Sequence, residues 1–151
     1  MTTTTSPNQV GRDESDILAL LAALRQAHSD KDAVAIAACY APGAVICDLS
    51  PPLAHHGIDV AEKQAWLDSW DGPIELEPRS NTLAIDGNIA VAQGYTRMSG
   101  TTRAAGRPVS FWLRDTICLR REYGAWRIVH LHSSVPFYMD GSLRPAFDLQ
   151  P

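Results

Sequence analysis

The chain has 151 residues and a mass of 16.5 kDa, enough for one domain that buries about two thirds of its unfolded surface without a metal or disulfide staple. Hydrophobic residues make up 45% and charged residues 20%, and thirteen Lys+Arg against seventeen Asp+Glu leave a net charge of −4 and a pI near 5.6. These figures exclude the basic face of a nucleic-acid binder, and the strongest apolar stretch, Ile17 to Leu24, falls far short of the ~20 residues of a membrane span; a cytoplasmic globular domain is expected.

Residues 1–13 are polar, with neither a basic nor an apolar targeting segment, and read as a disordered tail before a single domain over 14–137. A first helix is expected from Glu14 to His28, because Ile17, Leu20, Leu21, Leu24 and His28 form one amphipathic stripe and Asp13 is placed to cap it. A second is expected over Ala33–Tyr40, capped by Asp30 or Asp32, with Val34, Ala37, Ala38 and Ala41 as a small packing face. Ala44–Ser50 reads as a strand stopped by Pro51-Pro52, and a third helix follows to about Trp70, with Asp59 and Glu62 spaced as a capping box. Four strands come next, at Ile74–Ile85, Ile89–Met98, Pro108–Arg121 and Ala125–Pro136, separated by turn residues such as Asp86-Gly87-Asn88 and Tyr123-Gly124. Three prolines from Pro136 to Pro151 suggest an extended tail over 138–151 laid along the body. Helices followed by an antiparallel meander make an α+β order, with one curved sheet closing on the helices around an apolar cavity.

Strand alternation singles out Asp115. It shares a face with Phe111, Leu113, Ile117 and Leu119, so if that row points inward its carboxyl is desolvated and its pKa rises. Such a group can donate a hydrogen bond or take a proton near neutral pH; a bulge turning it outward, or pairing with an arginine, would make it structural instead. Asp48 poses the same choice at the end of the first strand, between a polar pocket and backbone groups near Pro51-Pro52. Gln93 and Tyr95 share a face on which they can orient a ligand or meet solvent, and Trp66 and Trp70 are neighbours one helical turn apart. His130 and His132, at i and i+2 with Trp126, Ile128 and Ser134, have a metal-ligand spacing that His55-His56 would have to complete, but an outer sheet face or subunit interface suits them better. Val129, Leu131, Ser133 and Val135 look like the core side of that strand. Cys39, Cys47 and Cys118 are odd in number and show no CxxC, and no phosphate-binding glycine loop or GxSxG elbow is present.

Several segments together resemble a family. Tyr40-Ala-Pro-Gly-Ala-Val, Asp48-Leu-Ser-Pro-Pro-Leu, Gly57, Asp71-Gly-Pro-Ile, Met98-Ser-Gly-Thr, Trp112-Leu-Arg-Asp-Thr and, most specifically, Trp126-Arg-Ile-Val-His-Leu-His-Ser-Ser-Val-Pro-Phe137 look like the SnoaL-like branch of the nuclear transport factor 2-like superfamily. The ending Asp148-Leu-Gln-Pro151 is similar too, so the resemblance covers residues 15–151. It implies a cone-shaped, cystatin-like roll with three N-terminal helices in the concave face of a curved, mostly antiparallel sheet, and a homodimer packed through the sheet face. Set against ketosteroid isomerase, Asp48 falls at the position of the general base and Asp115 near the oxyanion-hole acid, while Leu24 stands where a tyrosine would be. His130-Leu131-His132 replaces the His-Glu-His of many relatives.

The resemblance and the acids lead to one expectation, a cofactor-free isomerase, cyclase or dehydratase acting on an apolar, oxygenated metabolite with no metal. Asp48 would move the proton and Asp115 would hold the developing oxyanion, with Gln93 and Tyr95 orienting the substrate. Trp66, Trp70, Phe111, Ile117 and Leu131 would form the walls, and Tyr40 and His55 would complete the pocket. The competing expectation is a binding or dimerisation module of the same fold without turnover.

Overall fold

The computed structural model describes residues 7–151. Helices α1 (Pro7–Ser29) and α2 (Ala33–Ala38) lead into strand β1 (Tyr40–Cys47), the two-residue strand β2 (His55–His56) and helix α3 (Val60–Asp68). Four long strands complete the chain: β3 (Trp70–Asp86), β4 (Ile89–Thr102), β5 (Pro108–Glu122) and β6 (Ala125–Ser134). They form one six-stranded sheet in the order β2-β1-β6-β5-β4-β3, antiparallel throughout except where β1 lies parallel to β6.

Local chemistry explains the element ends. Asp32 caps α2 by accepting from the Ala35 N–H at 2.9 Å, and Asp59 caps α3 through the Glu62 N–H at 2.9 Å. Between β5 and β6, Tyr123 (φ 50°) and Gly124 (φ 81°) both lie in the left-handed region, as a two-residue hairpin matched to strand twist requires. Gln64 of α3 ties the α1–α2 turn, donating to the Lys31 carbonyl and accepting from the Ala33 N–H. The core lies between the helices and one sheet face, where Ile17, Ile36, Leu67, Ile74, Leu119 and Ile128 are all less than 2% exposed. No helix among the described residues is long and apolar enough to cross a membrane.

Several boundaries differ from the sequence expectation. Residues 1–6 of the expected tail lie outside the described residues, but 7–13 are the first turns of α1. Asp13 is therefore not an N-cap. It is 1% exposed, inside the helix, and accepts from Arg121 Nη1 at 2.6 Å, Gln9 Nε2 at 3.1 Å and Trp126 Nε1 at 3.2 Å. In α2 the buried face is Ala33 and Ile36, while Val34, 67% exposed, and Ala38 one turn on share the side turned away from it. The final segment is not a simple extended tail. It folds back at Tyr138–Arg144, pairs Phe137 with Pro145, buries Ala146 and lays Phe147 on Phe111 with ring centroids 4.5 Å apart.

Candidate functional site

The concave face of the sheet and helices α1, α2 and α3 enclose a cavity of about 410 Å³. Its sheet wall is built by period-two alternation, with Phe111, Leu113, Asp115 and Ile117 of β5 facing in. On β4 the inward set is Ala92, Gly94, Thr96 and Met98, largely small side chains that leave the cavity its room. Asn81, beside a register shift in β3, closes over Gly94 so tightly that a Cβ there would lie 2.0 Å from its Oδ1. On the helix side, Trp66 meets Trp70 edge-on at 5.8 Å, and His28 meets Trp66 at 6.4 Å.

Asp115 is directly opposite Gly94 on β4 and Ser133 on β6. Ser133 Oγ donates to its Oδ1 at 2.6 Å and Thr96 supplies a second hydroxyl. Burial pushes the Asp115 carboxyl above the usual carboxylate range, and these two hydrogen bonds only partly offset it. Asp48, just past the end of β1, is more open. It lines the cavity at 28% side-chain exposure, accepts from the Ser50 N–H and hydroxyl at 3.3 and 3.2 Å, and lies 3.8 Å from His55 Nε2. The fold thus gives two acids on one cavity different settings, one in an apolar wall and one at a polar end. Tyr40 is 8% exposed, and burial together with the nearby Cys39, Asp115 and Asp48 pushes its phenol up, so it stays a donor. Burial pushes His28 down to about 4, against a hydrogen bond with the Leu24 carbonyl, leaving a neutral imidazole beside Trp66 at neutral pH.

Tyr40, Asp48, His55, Trp66, Trp70, Phe111, Asp115, Ile117 and Leu131 all line this cavity. Tyr95 does not. It is 40% exposed on the other face of β4, opposite Arg114, so it cannot orient a ligand inside. Gln93 borders the cavity but is itself exposed, since the neighbouring Ala92 and Gly94 take the inward positions. The polar side chains that the sheet does bring to Asp115 are Thr96 and Ser133, both hydrogen-bonded to its carboxyl. His130 and His132 lie on the outer face, 6.4 Å apart, and His130 Nδ1 is hydrogen-bonded with the Val45 carbonyl. They do not share that face with Trp126 and Ile128, which are buried: a bulge at Val129 reverses the phase of β6. Among the described residues no three His, Cys, Asp or Glu side chains converge as a metal site. Arg25 and Lys63 also line the cavity and escaped the sequence reading, because each flanks rather than joins its helix's apolar stripe.

A family model described as a SnoaL-like domain matches residues 17–138. No curated protein matches the chain. Among solved structures, a nuclear transport factor 2-like protein of unknown function from Pseudomonas putida KT2440 is 29% identical, with 93% of this chain and 98% of that one covered and a TM-score of 0.81. A dehydrochlorinase of hexachlorocyclohexane is 11% identical, covering 85% of this chain and 88% of that one at a TM-score of 0.75. A protein described as a dehydratase of the nuclear transport factor 2-like family, from Streptomyces avermitilis, is 13% identical, covering 83% and 96% at 0.71. The last two share the fold.

Proposed function

The chain belongs to the SnoaL-like domain family, within the nuclear transport factor 2-like fold, and we propose that it is a cofactor-free isomerase or lyase working on an apolar, oxygenated small molecule. One observation carries this reading: two carboxyls, Asp48 and Asp115, line a single cavity in contrasting environments. Environments that separate two acids also separate their roles. Asp48, the more open of the two, takes a proton from carbon next to a carbonyl, and the electron pair moves onto the carbonyl oxygen. Asp115, held toward its neutral form, donates a hydrogen bond to that oxygen, and Tyr40 adds a phenol. Returning the proton to another carbon gives isomerisation; expelling a leaving group from the adjacent carbon gives elimination. The names of the dehydratase and dehydrochlorinase that share the fold describe eliminations, which supports the second course.

The test is the urea unfolding free energy of wild type, Asp48→Asn and Asp115→Asn at pH 7. A carboxyl kept in an apolar wall for chemistry is a stability cost, so the near-isosteric amide should gain about 0.5–2 kcal/mol at Asp115. A loss of about 1–3 kcal/mol at both positions would instead mark structural carboxylates and leave a ligand-binding module without turnover. The hydrogen bonds from Ser50 to Asp48 are the specific observation on the side of that second reading. The outer sheet face is proposed as the surface on which two copies associate.

A further inference from the structure

The helix wall of the cavity carries two cations that the proton-transfer scheme does not use. Arg25 lies on α1, one turn before His28; Lys63 lies on α3, one turn before Trp66. Both line the cavity, whose helix wall also holds the edge-on contact between His28 and Trp66. Both are only part-exposed, and burial lowers the pKa of each, so the fold is withholding water from charges it keeps. Among the described residues, no carboxylate comes within ion-pair distance of either, and neither side chain makes a hydrogen bond. Lys63 Nζ lies over the Trp66 ring at 4.8 Å, a contact that steadies the ammonium without neutralising it.

Other charges around them do not fill the gap. Asp48 and Glu62 act on Lys63 electrostatically, but Asp48 is engaged by Ser50 and faces His55, while Glu62 is exposed. The neighbouring imidazole of His28 is neutral at pH 7, so it neither repels nor replaces a bound anion. On the far wall Asp115 is held toward its neutral form, which limits repulsion there.

We propose that the cavity's ligand is an apolar acid, whose carboxylate is held by Arg25 and Lys63 on the helix wall while its hydrocarbon body spans Trp66 and Phe111. This rests on the pocket reading above and narrows its substrate class. Part-buried cations without counter-ions are costly in an empty protein and become an asset when an anion arrives, since charge-assisted hydrogen bonds strengthen away from water.

Isothermal titration of the full chain with three probes of one shape, 2-naphthoate, 2-naphthamide and 2-naphthol, tests it at pH 7. The acid should bind at least about tenfold more tightly than the amide, and the preference should shrink as NaCl rises. In Arg25→Met/Lys63→Met, which keeps the apolar stems, acid and amide should bind alike; circular dichroism and a urea midpoint no lower than that of the wild type certify the fold. Equal affinity of acid and amide for the wild type overturns the anion assignment while leaving the apolar pocket standing. A preference that survives intact in the folded double variant also overturns it. Binding of none of the three probes removes the pocket reading itself.

Discussion

At the scale of single residues, the sharpest consequence concerns His28. Its pKa falls from the ordinary 6.5 to about 4 because the imidazole is buried against Trp66, with Lys63 adding a smaller repulsion. The folded state therefore binds the proton less well than the unfolded state does. The stability this group contributes is complete above pH 6.5 and is lost as pH falls toward 4, an effect of about 3 kcal/mol. His28→Phe fills the same space without a titrating group. Urea unfolding followed from pH 7 to pH 4 should show the wild type losing about 3 kcal/mol more than the variant, and parallel curves would refute the burial argument. Asp115 works in the opposite sense. Its carboxyl is raised, so its contribution is present below the ordinary carboxylate range and lost as pH climbs through the folded value. Wild type minus Asp115→Asn should therefore decline with rising pH across that window, while wild type minus His28→Phe increases. Alternation grouped Asp115 with Phe111, Leu113 and Ile117 but left open whether that face turned inward, which the structure answers by lining the cavity with it. Nothing in the period of α1 announced that His28 would be held neutral, because that depends on Trp66 arriving from another helix.

At the scale of elements, α1 is fastened to the sheet by one buried carboxylate. Asp13 continues the stripe of Ile17, Leu21 and Leu24 back by one turn, and its Oδ1 receives Arg121 of β5 and Trp126 of β6. Asp13→Ala removes the partner and leaves a part-buried guanidinium and an indole N–H unmatched. It should cost about 3–5 kcal/mol in urea unfolding, whereas exposed Glu14→Ala stays within about 0.5 kcal/mol. A second joint is Gly94, whose missing side chain lets Asn81 of β3 pack directly against β4; an added Cβ would also lie 2.9 Å from the Asn81 Cα. Backbone as well as side chain must move, so Gly94→Ala should cost about 1–3 kcal/mol, read as a lower Tm; an unchanged Tm would mean the β3 register shift absorbs it freely. These joints mark the boundary of what pattern reading reaches. Period and turn chemistry located the three helices and the four long strands, because those signals are local. An acid before an apolar stripe reads as a cap until the tertiary partner is seen, so Asp13 was misplaced. The bulge at Val129 shifts the phase of β6 without any glycine or proline to signal it. On β4 the usual rule inverts: a cavity needs small residues facing it, so Ala92 and Gly94 point in and the larger Tyr95 points out.

At the scale of the whole molecule, the two faces of the sheet carry different side chains. One face builds the cavity, and the other carries Trp112 with the Arg79 and Arg97 guanidinia 5.8 and 6.0 Å from its ring centroid, beside the part-exposed Tyr95. Aromatic and arginine side chains are the residues that interfaces favour over other surfaces, because they bury much area for little lost freedom and still satisfy hydrogen bonds. Arg97 is held across the strands on this face, its Nη2 donating to Glu77 Oε2 at 2.5 Å. Association through this face should give a species of twice 16.5 kDa in sedimentation equilibrium at about 50 µM chain. Trp112→Asp removes the ring that Arg79 and Arg97 cover and puts a short charged side chain in its place, and should shift the mass toward one chain. Because Trp112 points away from the cavity that Phe111 and Leu113 line, the same variant should keep the wild-type affinity for 2-naphthoate. A wild type that stays at 16.5 kDa would dismiss the dimer. A monomeric Trp112→Asp that also loses the ligand would show instead that the two faces are coupled, through the one strand they share.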